Sequence, residues 1–123
     1  KIMLGSASVE KAQGSMQVRG RDMVTGLPRV VEVPAKEIAV AMSEIIHQIL
    51  DAVKDVLEQT PPEISADVID HGIVLTGGGA MLRHLAEMIS KETQVPAFVA
   101  NDPLDCVALG TGAILANPSL MKK

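Results

Sequence analysis

Aromatic residues are almost missing from this chain: one Phe, no Tyr and no Trp in 123 residues. The core therefore has to be aliphatic. Unpaired bases would find no stacking platform, which argues against single-stranded nucleic acid as a ligand. Basic runs are missing too, and the formal net charge of −4 has the wrong sign for tracking duplex phosphates. No nucleic-acid partner is expected. The single cysteine, Cys106, cannot close a disulfide within the chain, which fits a reducing, cytoplasmic setting. No apolar run is long enough to cross a bilayer, and no signal-peptide pattern stands at the start. The chain opens Lys1-Ile2-Met3-Leu4 without an initiator Met, so the expectation is of a piece cut from something longer.

What is present is aliphatic and patterned. Hydrophobic residues make up 47% of the chain, enough for a real core at this length. Residues 2–4 read as a short strand and 6–15 as a small-residue loop. Alternation over 16–20 and 29–33, around the turn chemistry of Thr25-Gly26-Leu27-Pro28, predicts two strands of a hairpin. From Glu37, the positions Ile38, Met42, Ile45, Ile46, Ile49, Val53, Val56 and Leu57 recur at three and four. They predict one apolar stripe on a helix reaching about residue 59. Thr60-Pro61-Pro62 stops it. A short helix over 63–70 precedes a strand at 73–76. A helix over 80–91, with Leu82, Leu85, Met88 and Ile89 inward, leads to a second strand at 96–100. Asp102 as N-cap and Pro103 at the first helical position predict a last helix carrying Gly110 and Gly112. Strand, helix, strand, helix in that order implies a βαβα unit with parallel strands, an α/β fold class.

The stretch richest in chemical meaning is Ile73-Val74-Leu75-Thr76-Gly77-Gly78-Gly79-Ala80-Met81. A β-type run ends in three glycines, and a helix pattern starts at once. Two readings stay open. The glycines let a nucleotide come close to backbone amides at a helix start, or they serve a tight, closely packed turn. G-x-G-x-x-G is absent, which disfavours a dinucleotide site. Gly110-Thr111-Gly112 inside a helix costs stability and calls for a close neighbour or a moving domain against it. His47, His71 and His84 show no metal spacing. Asp67, Asp70 and His71 read as a solvated turn, Cys106 as a core or interface thiol, and Arg19, Arg21 and Arg29 as a solvated face. No catalytic and no metal-ligating residue is assigned.

Several motifs together carry a resemblance. Val74-Leu75-Thr76-Gly77-Gly78-Gly79-Ala80 resembles the adenosine motif of actin-like ATPases. Gly5-Ser6-Ala7, Val18-Arg19-Gly20-Arg21-Asp22, Thr25-Gly26-Leu27-Pro28, Thr60-Pro61-Pro62-Glu63 and Asp102-Pro103-Leu104-Asp105-Cys106-Val107-Ala108 follow in order. Together they are similar to the C-terminal portion of the bacterial MreB/Mbl family of actin homologues, over essentially the whole chain.

The resemblance implies a fragment of the actin-like (ribonuclease H-like) ATPase fold. Residues 1–33 would end the small α+β subdomain of its second lobe, and 34–123 would form most of the large subdomain. It implies ATP or ADP as ligand, with Mg in the full-length protein, and filaments that direct rod cell shape and cell-wall synthesis. Gly77, Gly78, Gly79, Ala80 and Met81 match adenosine-side contacts. Lys1 matches the end of a Glu-x-x-Lys segment that also touches nucleotide. The Gly110-Thr111-Gly112 helix corresponds to a connecting helix at the interdomain hinge. Partners would be other copies in a protofilament and cell-shape membrane proteins. Membrane contact of the otherwise cytoplasmic filament would come through segments absent from this chain. The phosphate-handling and hydrolytic residues of the family would also lie elsewhere, so this chain alone is not expected to turn over ATP. The alternative is a non-catalytic module that binds cell-shape partners. With only two strands in the main sheet, edges stay open, and self-association is expected.

Overall fold

The computed structural model describes residues 3–121. Its first unit is the expected hairpin: β1, Ser15–Arg21, pairs antiparallel with β2, Pro28–Pro34. The register sets Met16 opposite Val33 and Val18 opposite Val31, so one face is apolar. Asp22 organises the turn. Its Oδ1 accepts the amides of Val24 and Thr25, both at 2.9 Å, and its Oδ2 accepts Arg29 at 3.1 Å. None of the hairpin residues is buried.

α1, Ala35–Glu58, follows directly on Pro34, whose extended backbone closes the hairpin and opens the helix. The predicted single stripe is only half covered. Ile46 and Leu50 are buried, with Met42 and Val53 packed beside them, while Ile45, Ile49 and Val56 face outward. The stripe is wider than α4, the helix that packs on it. α2, Pro62–His71, starts with proline where a donor is not needed, and it takes in Asp67, Asp70 and His71. These residues end a helix rather than form a free turn; the His71 Nδ1 lies 2.9 Å from the Asp67 carbonyl.

Gly72 then redirects the chain. Its φ is +79°, and a Cβ there would sit 2.7 Å from the Pro96 carbonyl oxygen, so only glycine fits. β3, Ile73–Leu75, pairs parallel with β4, Ala97–Val99, as the βαβα pattern requires. Between them the predicted single helix is broken in two. α3, Gly77–Ala80, is one turn that includes the glycines, and α4, Leu85–Thr93, begins after a kink at His84, whose φ is +64°. The inward set survives the break: Leu85 and Ile89 are buried, and Leu82 and Met88 pack against them.

Two expected boundaries move. α5 runs Cys106–Ala116 with Asp105, not Asp102, at its N-cap, and a 3-10 turn, Pro118–Met121, follows. The Pro103 carbonyl accepts the Gly77 amide at 2.6 Å, which takes it out of any helix ladder. Asp102 turns instead, with φ +43°. At the start, Met3 and Leu4 lie in a turn, and Ile2 falls outside the described residues, so the strand expected at 2–4 is not seen. The nearby segment makes one parallel bridge, Ser6 to Arg83. The core gathers Ala7, Ile46, Leu50, Leu85 and Ile89, with Ile73, Leu75 and Ala97 of the sheet closing it.

Candidate functional site

The glycine turn leaves the carboxyl end of β3, the position where parallel sheets present their ligands. Each residue has a separate role. Gly77 has φ +81°, a backbone conformation that favours glycine, and its amide is already committed to Pro103. A Cβ on Gly78 would meet Leu104 at an ordinary 3.6 Å. A Cβ on Gly79 would meet nothing within 4 Å. Close packing within the described residues therefore does not explain Gly78 or Gly79. Ala80 is buried and anchors the turn, whereas Met81 is exposed. Lys1, the other expected contact, lies outside the described residues.

The four-residue length of α3 changes the electrostatics expected of the turn. A long helix would have focused a dipole on the glycines; a single turn supplies little. What the turn offers is room and backbone polarity rather than charge.

The downstream end of the turn is held by residues almost eighty positions away. Arg83 Nε donates to the Gly5 carbonyl at 3.0 Å, and the Ala7 amide donates to the Arg83 carbonyl at 2.9 Å. Ser6 is fully buried. Its hydroxyl donates to the Ser8 carbonyl at 2.8 Å and sits 2.9 Å from His84 Nδ1. One hydroxyl has one proton, so the histidine must be the donor in the second contact. Sequence reasoning sets Gly5-Ser6-Ala7 apart only through the resemblance, and it finds no metal spacing around His84. No local pattern joins positions this far apart.

The other candidates stay apart from the turn. A cleft of about 260 Å³ lies between the 7–11 loop, α1 and α4, with His47, His84, Glu87 and Glu92 on its walls. Two of its three carboxylates are paired, Glu87 with Lys11 and Glu92 with Lys54, and Glu10 is the third. The Lys11 hydrogen bond holds Glu87 below its ordinary pKa, helped by the charges of Lys11 and His84, and Lys54 does the same for Glu92. No three His, Cys, Asp or Glu side chains converge as a metal site among the described residues. Cys106 is half-buried with its Sγ 3.4 Å from the Asp102 carbonyl. Gly110 and Gly112 meet no neighbour within 4 Å, so the close approach expected of them is not made inside this chain.

The MreB/Mbl protein family model matches residues 1–123. The chain belongs to the MreB/Mbl family. It is 46% identical over 123 residues to the cell shape-determining protein Mbl of Bacillus subtilis (strain 168), covering all of this chain and 37% of that protein. It is 44% identical over 115 residues to the cell shape-determining protein MreB of Escherichia coli (strain K12), covering 94% of this chain and 33% of that one. The chain thus spans little more than a third of the curated relatives it matches. Among solved structures, MreB5 of Spiroplasma citri bound to ADP superposes with a TM-score of 0.86 at 35% identity, over 96% of this chain and 36% of that chain. The AMPPNP-bound form of the same protein gives 0.84 at 34%, over 97% and 36%. The α/β architecture is therefore a fragment of the MreB actin-like ATPase fold, and the family is that of the bacterial cell-shape cytoskeleton.

Proposed function

We propose that this chain supplies the adenosine-side wall of a nucleotide cleft in a cytoskeletal actin-like ATPase. The observation that carries this is the open glycine turn. Gly79 has empty space above it at the carboxyl end of a parallel strand, and the matching solved structures are bound to ADP and to AMPPNP. Gly78, Gly79, Ala80 and Met81 would line the adenosine side. Gly77 shapes the turn through its backbone rather than offering its amide, and Lys1 would close the site from the preceding segment. ATP, with Mg, would bind between this wall and the remainder of the full-length protein. The nucleotide-closed state would then add copies end to end into filaments that direct rod cell shape from the cytoplasmic face of the membrane. Residues 1–33 are assigned to the small subdomain of the second lobe and 34–123 to the large one. Membrane contact is assigned to other segments of the family protein and to cell-shape membrane proteins. No helix of the described residues is long and apolar enough to cross a membrane.

The test is Gly79→Val in a full-length family protein carrying this chain, read by ADP titration. Because the added side chain meets no protein atom within 4 Å of its Cβ, the fold should hold while the nucleotide is obstructed. Affinity should fall at least about tenfold, roughly one lost close contact's worth. Unchanged affinity would place the nucleotide elsewhere. The isolated chain should show no ATP turnover, and measurable phosphate release from it would refute the assignment of hydrolysis to other segments.

A further inference from the structure

We infer that His84 is a positioning residue for the glycine turn, holding it in place by donating its Nδ1 proton to the buried Ser6 hydroxyl; the inference rests on the nucleotide reading above. The turn is pinned at two ends. Upstream, the Gly77 amide is fixed to the Pro103 carbonyl at 2.6 Å. Downstream, α4 reaches back to residues 81–84 through two backbone bonds, the Leu85 amide on the Leu82 carbonyl at 3.2 Å and the Met88 amide on the His84 carbonyl at 3.0 Å, and neither ties the segment to another part of the chain. The pinning there comes from residues 5–7. Arg83 uses both its side chain and its carbonyl on that segment, and His84 adds the third bond.

Two features mark His84 as more than a satisfied surface histidine. Its backbone takes a left-handed conformation, φ +64°, which a non-glycine residue adopts at a cost. Its partner, Ser6, is completely buried, and Ser6 has already spent its only proton on Ser8. Without a donor at position 84, one acceptor site of a buried hydroxyl would lose its bond, an unfavourable state. The backbone cost at 84 and the donor requirement at Ser6 are met together by one side chain. The segment it grips continues through the 7–11 loop into the hairpin. The hairpin's end is tied back where the Ala35 amide meets the Gly14 carbonyl at 2.9 Å. The position of the adenosine wall is thereby linked to the small subdomain.

The experiment separates donor chemistry from backbone shape. Four variants are compared by ADP titration in a full-length family protein carrying this chain: His84→Gly, His84→Gln, His84→Asn and Ser6→Ala. Glycine relaxes the left-handed backbone but brings no donor. Glutamine carries its amide one bond too far, at the place of Nε2. Asparagine tolerates left-handed backbone and puts its amide nitrogen where Nδ1 stands. Affinity should fall about five- to tenfold in the glycine, glutamine and Ser6 variants and return to within about twofold of wild type in the asparagine variant. Full affinity in His84→Gly would overturn the inference, as would asparagine behaving like glutamine. A long-range nitrogen–proton NMR spectrum gives an independent reading. The His84 proton should sit on Nδ1; a proton on Nε2 alone overturns the proposal. Wild-type protein that fails to bind ADP would instead overturn the nucleotide reading, and the positioning role with it.

Discussion

α4 and α5 stand on either side of β4 in the chain, and they meet opposite fates. α4 carries charge on one face and buries Leu85 and Ile89 on the other, an ordinary core-facing helix. α5 has no charged residue in its eleven and buries none of them. Val107 is 75% exposed and Leu115 81%. A helix that is apolar all round is an interior helix. Its sequence fits surroundings that the described residues do not supply. The outer edge of α1, with Ile45, Ile49 and Val56 uncovered, carries the same message. Since the chain spans 37% of the length of its Bacillus subtilis relative, the cover for both is expected from the remaining length of such a protein.

The sharpest way to break this contrast is to truncate one residue in each helix. Ile89→Ala removes a side chain that is 1% exposed and touches α1 and the sheet. It should cost about 2–5 kcal/mol of unfolding free energy, from lost transfer energy plus a cavity. Val107→Ala should cost under about 0.5 kcal/mol in this chain, as exposed substitutions do. Urea unfolding of the two variants measures both. A large Val107 penalty would mean that α5 is covered in solution by a second copy, and light scattering would then show the dimer.

The glycines extend the contrast at smaller magnitude. Gly72→Ala faces a positive φ and a carbonyl at 2.7 Å, so about 1–3 kcal/mol should be lost. Gly110→Ala faces open space in a helix interior, so up to about 1 kcal/mol should be gained in this chain. In a full-length protein the same Gly110→Ala should cost stability or nucleotide affinity instead, because the missing neighbour would then be present. Thermal melts in the two contexts decide it. The same sign in both would leave Gly110 without a packing reason.

These residues also show what was legible beforehand. Elements whose evidence is periodic and local were readable: the hairpin alternation, α1 between Pro34 and Pro61, and the inward set Leu82, Leu85, Met88 and Ile89. Boundaries set by distant partners were not. The start of α5 moved because the Pro103 carbonyl is claimed by Gly77, a contact across 26 positions. The helix at 80–91 breaks where Arg83 and His84 bond to residues 5–7, almost eighty positions away. The width of α1's covered face depends on how many neighbours pack on it, and periodicity reports only how many it could take. At the site, the glycine turn was visible as a motif, but its division of labour was not. That division follows from φ at Gly77 and from the empty space at Gly79, and no spacing encodes either.

The hairpin provides the smallest test, because it shares α5's exposure yet holds itself together locally. Asp22 is the centre of that local order. Its carboxylate lies below its ordinary pKa of 3.8, chiefly through the Thr25 and Val24 amides and then Arg29. A depressed carboxylate pKa contributes stability above the unfolded value and loses it as pH falls through the folded one. The turn at 22–27 should therefore loosen only below about pH 4, while Ile89 and the sheet, held by apolar contacts, stay ordered even as the exposed Glu87–Lys11 and Glu92–Lys54 pairs weaken. Amide exchange at Val24 and Thr25 should accelerate in that range before exchange at Ile89 does. Asp22→Asn should remove the pH dependence and leave the two amides less protected at neutral pH as well. Simultaneous loss of protection at Val24 and Ile89 on acidification would show that the hairpin depends on the core after all, and that the contrast between covered and uncovered regions does not extend to it.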